Sequence, residues 1–153
     1  MIKQRITTGT DILQSKNTQD VFVGDQITAL RIGAMPSSRF GNQEFAMEWA
    51  TKDVQGKVIE GTVIDREIFI RSGYYKINLM HFVADQPILI KRNDFWEWKK
   101  PPQIQKGDVM FGHSTQFKVE TISFIEVSVQ TFELKVDMCD TYFLNGILVH
   151  NRV

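Results

Sequence analysis

Apolar and polar residues alternate along most of this chain with a period of two, which is typical of β-strands. The segment 20–33 alternates, breaks at Gly24-Asp25 and alternates again, which predicts strand, turn and strand. The segment 57–84 repeats this pattern at greater length, with glycines as its interruptions. Many short strands separated by turn residues predict an all-β sandwich or barrel, and without a visible boundary residues 1–153 are expected to form one domain.

Turn and helix signals refine this prediction. Asn145-Gly146 lies between two apolar runs and predicts a tight hairpin, because both central residues of such a turn need positive φ. Gly24-Asp25 and Gly107-Asp108 each stand where a polar segment gives way to a β run, so we expect them at corresponding places in two halves of the fold. Residues 42–53 predict at most one short helix.

Charge and composition limit the classes of partner that this chain is expected to bind. Lysine plus arginine and aspartate plus glutamate both total 18 in 153 residues, so no net charge draws in nucleic acid or an anionic membrane. No apolar run approaches the roughly 20 residues that span a bilayer, and residues 1–11 lack a secretion signal. We therefore expect a cytoplasmic protein whose partners are other protein subunits or a second copy of itself, with no small-molecule substrate.

The residues that bear chemistry are sparse. His81, His113 and His150 lie far apart, and the single cysteine, Cys139, offers neither a disulfide nor a zinc spacing, so neither metal nor cofactor is expected. Cys139 is flanked by two acids, which raise the pKa of a thiol, and this favours a structural cysteine over a nucleophile.

The segment 95–100 carries two tryptophans beside two lysines. Aromatic rings next to cations stack single-stranded bases in some proteins. Because the net charge is zero, we favour the alternative that Trp96 and Trp98 share one face of a strand and pack in the core.

Residues 9–30, 83–110 and 131–151 are three ordered segments that together resemble the Hint domain, the fold shared by hedgehog autoprocessing domains and inteins. "TFELKVDMCDTYFLNGILVHN" (131–151) resembles the family's C-terminal end, with Asn-Gly followed by a final His-Asn. "GTDILQSKNTQDVFVGDQITAL" (9–30) resembles its opening, and "VADQPILIKRNDFWEWKKPPQIQKGDVM" (83–110) resembles its middle motif. The resemblance implies two pseudo-symmetric halves of curled strands wound into a flattened horseshoe. Residues 31–75 match no family segment and are predicted to be a family-specific insertion.

The resemblance also shows which groups of the splicing reaction are replaced. The first nucleophile, a cysteine or serine in the family, falls at Arg5, four residues after Met1, and a guanidinium cannot carry an acyl group. The histidine that activates the first scissile amide falls at Gln86, which is no acid near neutral pH. The acid in the family's Tyr-Asp-Leu strand, which some inteins replace with a nucleophilic cysteine, falls at Glu133, and its other histidine falls at Asp140.

The C-terminal pair is retained. In inteins the terminal asparagine attacks its own backbone carbonyl to form a succinimide, with the preceding histidine as proton donor, and His150 and Asn151 match these residues. The next residue is Arg152, where splicing inteins need cysteine, serine or threonine, and cleavage here would release only Arg152-Val153. A purely structural role for His150 is therefore the favoured interpretation.

Three functions follow as hypotheses. The first is a non-catalytic structural or assembly protein on a degenerate Hint fold, such as a tail or baseplate component of a bacteriophage virion. The second is a self-processing domain that keeps cleavage at Asn151, and the third is a half-reaction that needs a partner chain to supply a nucleophile. The partner contact is predicted at four residues of the segment 37–53: Phe40, Phe45, Met47 and Trp49. The alternative is that this stretch only covers the barrel.

Overall fold

A computed structural model describes residues 2–3, 20–33, 35, 47–137 and 140–151. Within them the chain is built almost entirely from strands, as the alternation predicts. They are β1 (Ile2–Lys3), β2 (Gln26–Ile32), β3 (Ala50–Thr51), β4 (Gly56–Arg71), β5 (Tyr74–Ile77), β6 (Met80–Phe82), β7 (Ile88–Arg92), β8 (Phe95–Lys99), β9 (Val109–Met110), β10 (Phe117–Lys118), β11 (Ile122–Ile125), β12 (Val129–Val136), β13 (Thr141–Leu144) and β14 (Ile147–His150). One 3-10 turn covers Pro101–Gln103.

The long strand β4 organises one half of the fold. Its first part, Gly56–Thr62, pairs antiparallel with β2, and its second part, from Val63 to Arg71, pairs antiparallel with β12. The short β1 lies parallel to β12 on the other side, which gives the order β1-β12-β4-β2. A separate sheet has the order β11-β5-β6.

A seven-stranded sheet holds the C-terminal hairpin. Its main path is β10-β9-β7-β14-β13, with β8 paired to β7 and β3 paired to β8. The turn that joins β13 to β14 has positive φ at Asn145 (51°) and Gly146 (83°), so the predicted hairpin is confirmed. β14 is fully buried and pairs with β7 on its other side, so it lies between two neighbouring strands.

The two Gly-Asp turns have the same geometry. Gly24 and Gly107 have φ of 97° and 96°, and each donates its backbone N–H over 2.8 Å to the carbonyl of a valine, Val63 or Val119. In each turn the aspartate N–H donates to the carbonyl three residues earlier, and the aspartate carboxylate accepts the N–H of that same residue. This shared pattern is what the pseudo-symmetric interpretation expects of corresponding turns.

One local prediction differs from the structure. Val21 to Val23 do not form a strand, because Phe22 N–H is bound by the Asp25 carboxylate and Phe22 carbonyl by Asp25 N–H, which closes a turn instead. In the described part of the segment 42–53, Met47 and Glu48 are helical and strand β3 begins at Ala50, which agrees with the prediction of at most one short helix. The prediction that 31–75 is a family-specific insertion stays a prediction, although β4 within it is central to the first sheet.

Among the described residues, the core consists of two clusters of buried side chains. The larger one gathers residues from both halves, including Val63, Phe82, Ile90, Leu134 and Val149. The second contains Trp96 and Trp98, which are only 4% and 5% exposed, so the core interpretation of the tryptophans is confirmed. No helix in the described ranges is long and apolar enough to cross a membrane.

One ion pair ties the second Gly-Asp turn to the sheet. Arg92 on β7 donates to both carboxylate oxygens of Asp108, from Nε to Oδ1 over 2.8 Å and from Nη2 to Oδ2 over 2.6 Å. Burial alone would raise the pKa of Asp108, but the hydrogen bonds from Arg92 and from Gln105 N–H outweigh it and lower that pKa below its usual value. Asp25 holds the corresponding turn with a half-buried carboxylate.

We expect Asp108→Asn to lower the free energy of unfolding by about 1.5–3 kcal/mol, because the substitution leaves the Arg92 guanidinium without its charged partner. The matched change Asp25→Asn keeps an oxygen for the turn at a more exposed site and should cost less, about 0.5–1.5 kcal/mol. Urea unfolding of both variants at pH 7 measures the difference. Equal losses would mean that the turn, and not the ion pair, provides the stabilisation.

Candidate functional site

The last two described residues, His150 and Asn151, lie deep in the protein. His150 ends β14, where it pairs with Thr141 of β13, and the neighbouring pair Val149–Ile88 joins β14 to β7. His150 is 0% exposed and Asn151 is 2% exposed. Most polar groups with so little solvent have hydrogen-bond partners within the protein.

The His150 imidazole contacts the backbone carbonyl of the next residue. Its Nδ1 lies 2.8 Å from Asn151 O, and because a carbonyl oxygen only accepts, Nδ1 carries the proton. Nε2 is buried and has no hydrogen-bond partner among the described residues, and the Trp98 ring packs edge-on at 5.1 Å. Burial lowers the pKa of His150, although the Asn151 carbonyl and the negative charge of Asp140 act in the opposite direction. The imidazole is therefore neutral at neutral pH, with its N–H directed at the Asn151 carbonyl.

The Asn151 side chain is held by the backbone of Val136. Val136 N–H donates to Asn151 Oδ1 over 2.9 Å, and Asn151 Nδ2 donates to Val136 O over 3.0 Å. We call this pair of bonds the Val136 clamp. It holds the amide side chain against the end of β12 and fixes which of its two polar atoms is oxygen and which is nitrogen.

The structure brings two of the replaced catalytic positions to this pair. Gln86 is 5% exposed, and its Nε2 donates to His150 O over 2.8 Å. Asp140 accepts the Asn151 N–H on its backbone carbonyl over 2.6 Å, and its charge acts on the His150 imidazole.

Glu133 belongs to a neighbouring group on β12. Its carboxylate is 4% exposed and pairs with Arg71 over 2.9 Å, and Arg71 also reaches Asp85 over 3.5 Å. Burial, together with the charge of Glu133, raises the pKa of the Tyr142 phenol. This group places Asp85, the neighbour of Gln86, next to β12.

Other predicted residues lie elsewhere. Met47 and Trp49 are partly buried and pack against the second core cluster, which fits the alternative that this stretch covers the barrel. His81 stacks near Tyr74, and His113 packs edge-on to Phe143. Of the chain that is described, no three histidine, cysteine or acidic side chains come together as a metal site would need. Seven residues named in the sequence analysis lie outside the described residues: Met1, Arg5, Phe40, Phe45, Cys139, Arg152 and Val153.

Three further residues contribute to the site, and two of them had no clear sequence signal. Val136 acts through its backbone, which any residue has, so only the strand register reveals it. Trp98 was assigned to the core without its contact to His150. Pro87 did carry a signal, because Gln86-Pro87 matches the His-Pro pair in the middle motif of the family.

The arrangement supplies two elements of a cleavage reaction on one residue. The Asn151 carbonyl is polarised by the imidazole N–H, and the Asn151 amide is a nitrogen nucleophile in the same side chain. Both lie in a dry environment, where hydrogen bonds to a developing negative charge are strongest.

Comparison with known proteins identifies the fold. No protein-family model matches the chain, and no curated protein matches it by sequence. Solved structures do match. The chain superposes on a bacterial intein-like domain from Clostridium thermocellum with a TM-score of 0.66 and 18% identity, covering 99% of this chain and 100% of that one.

Two inteins match over similar lengths. A DnaB intein from Synechocystis gives a TM-score of 0.60 at 15% identity, with 99% of this chain and 98% of that chain covered. The MchDnaB-1 intein gives 0.58 at 14% identity, with 97% and 98% covered. At these identities the likeness concerns the fold, and it agrees with the three sequence motifs. The chain therefore has the all-β Hint fold of inteins and intein-like domains.

Proposed function

We propose that this chain is a self-processing Hint domain that has kept only the C-terminal half of the reaction, cleavage of the Asn151–Arg152 bond by cyclisation of Asn151. One observation carries the proposal: the buried His150 Nδ1 lies 2.8 Å from the carbonyl oxygen of the bond to be cut. This favours the second of the three sequence-based hypotheses over the first.

The proposed step balances without a cofactor. Asn151 Nδ2 attacks the Asn151 backbone carbon, and the new bond closes a five-membered succinimide. The carbonyl oxygen gains negative charge, which the His150 Nδ1–H stabilises by the hydrogen bond already in place. The bond to the Arg152 nitrogen then breaks, and the proton lost from Nδ2 ends on that nitrogen as a free amine.

The first half of splicing has no comparable support. The sequence places Arg5 where an acyl carrier is needed, and a guanidinium is not a nucleophile at any accessible pH. Gln86 cannot protonate a leaving amide, and it is already bonded to the C-terminal pair. We therefore propose cleavage alone, without ligation.

The Val136 clamp makes the proposed reaction slow. Nδ2 must leave the Val136 carbonyl to reach the backbone carbon, and Oδ1 turns away from Val136 N–H at the same time. Releasing two hydrogen bonds of about 0.5–1.5 kcal/mol each corresponds to roughly a 5- to 150-fold decrease in rate.

A second candidate is the non-catalytic assembly module. The clamp favours it, because the Asn151 amide already has a structural use. A row of exposed isoleucines on β4 also favours it, with Ile64, Ile68 and Ile70 between 47% and 58% exposed at alternate positions. The bacteriophage tail or baseplate setting remains a proposal from the sequence alone, without support from the fold comparison.

We expect the intact mass of the chain to fall by the mass of Arg152-Val153, and the new C-terminus to appear first as a succinimide and then with one added water. Mass spectrometry of the chain, fresh and after long incubation at neutral pH, measures this. Asn151→Ala should abolish the loss, and His150→Gln should slow it by about 10²–10³-fold, as for removal of one oxyanion donor.

A constant mass in the parent chain would contradict self-processing and leave the assembly module. Loss of the two residues from Asn151→Ala as well would point to a contaminating protease. Cleavage only after mixing with a second protein would instead support the partner-dependent half-reaction.

We also expect acid to destabilise the fold through His150. Because its pKa in the folded chain is lowered below the ordinary 6.5, the unfolded chain takes up a proton first as pH falls. The contribution of the neutral His150 side chain to the free energy of unfolding is therefore complete above about pH 6.5 and is lost as pH falls below that value. Urea unfolding between pH 7.5 and 5 is measured in two proteins that both carry Asn151→Ala, with and without His150→Gln. The free energy of unfolding should depend less on pH in the protein with His150→Gln. The same slope in the two proteins would refute a neutral buried imidazole.

A further inference from the structure

The pairing of β14 with β7 is interrupted by a proline. In this antiparallel pair, Val149 faces Ile88, and His150 N–H donates to Pro87 O over 3.1 Å. A regular ladder would return a second bond, from the N–H of residue 87 to His150 O. Proline has no N–H, so His150 O needs another donor.

The side chain of Gln86 supplies that donor. Its Nε2 donates to His150 O over 2.8 Å and to Pro87 O over 3.2 Å. Both acceptors are carbonyl oxygens, so the amide nitrogen must face them. The missing backbone bond is thus replaced by a side-chain bond from the preceding residue.

The local sequence explains why Gln86 can reach. Gln86 N–H donates to Val83 O over 3.2 Å, which closes a turn after β6. Pro87 then restricts the backbone of Gln86 to extended conformations. At the other side of this turn, Asp85 contacts Arg71 over 3.5 Å. The turn is therefore attached to β4 as well as to β7.

The peptide group between His150 and Asn151 is held at both ends. Its carbonyl, His150 O, accepts from Gln86, and its N–H, Asn151 N, donates to Asp140 O over 2.6 Å. These two bonds fix the plane of this peptide, which joins the residue that carries the imidazole to the residue whose carbonyl it contacts. The 2.8 Å contact between His150 Nδ1 and Asn151 O depends on that plane.

We propose that Gln86 is a positioning residue for cleavage at Asn151: it replaces the hydrogen bond that Pro87 cannot make, and it thereby directs the His150 N–H at the Asn151 carbonyl. This inference rests on the proposed function. In the family, this position holds the histidine that activates the first scissile amide. Here Gln86 occupies the position and acts at the C-terminal scissile bond instead.

The test removes the hydrogen-bond donor of the Gln86 side chain and then restores a donor to His150 O from the backbone of residue 87. Gln86→Met keeps the length of the side chain without its N–H groups. Pro87→Ala restores a backbone N–H opposite His150 O. Gln105→Met, at an exposed position whose hydrogen bonds to Asp108 are made by its main-chain N–H and carbonyl, is the matched control.

The first readout is the His150 tautomer, measured by ¹⁵N NMR of the imidazole in the full chain carrying Asn151→Ala. We expect the Nδ1–H tautomer in the parent, a mixture with the Nε2–H tautomer in Gln86→Met, and recovery of the Nδ1–H tautomer in Gln86→Met/Pro87→Ala. An unchanged tautomer in Gln86→Met overturns the proposal. So does a lower melting temperature without a tautomer change, because that describes a purely structural residue.

The second readout is the cleavage rate by intact mass in chains that keep Asn151. We expect Gln86→Met to slow cleavage about 10- to 100-fold, as small misplacements of reacting groups do, and the double variant to recover most of it. Cleavage at the parent rate in Gln86→Met overturns the positioning role. If the parent itself does not cleave, the proposed function fails, while the tautomer experiment still decides whether Gln86 directs the imidazole.

Discussion

The two hydrogen bonds between the Asn151 amide and the Val136 main chain join the C-terminal hairpin to the first sheet. They tie the residue after β14 to the last residue of β12, and β12 in turn pairs with β4. Without them, the two sheets would lose a polar link at a dry junction. Because both bonds go to one backbone residue, they act like one more step of a β-ladder made by a side chain.

A second side-chain amide replaces backbone hydrogen bonding at Gln86, where it takes the place of a missing peptide N–H. Both amides satisfy backbone groups at points where the sheet pattern fails, at Pro87 on one side and after β14 on the other. An unsatisfied buried carbonyl is costly, so each amide has a structural reason to be present. The chemistry proposed for His150 and Asn151 is built from groups that the fold already needs.

The sequence predicts much of this, and the reasons are local. Asn145-Gly146 and the Gly-Asp turns are readable because positive φ restricts which residues fit. His150 and Asn151 are readable because their spacing from that hairpin matches a known family. The bond from Gln86 to His150 could not be predicted, because it depends on the register of β7 against β14 and on which ladder position Pro87 occupies. The turn at Val21–Val23 was not predicted, because the apolar alternation indicates a strand and does not show that the Asp25 carboxylate binds the Phe22 N–H. Met47 and Trp49 offered two interpretations from composition alone, and only their contacts with the second cluster distinguish them.

The pairing of β4 has a consequence for the order of folding. β4 remains half unpaired until β12, some sixty residues later in the chain, arrives beside it, and β7 likewise waits for β14. Such non-local pairing gives the fold a high contact order, which slows its formation. The His150–Asn151 geometry exists only after these last strands have docked. Any reaction at Asn151 would therefore begin only after folding is complete, and its onset would mark the time at which the chain has folded.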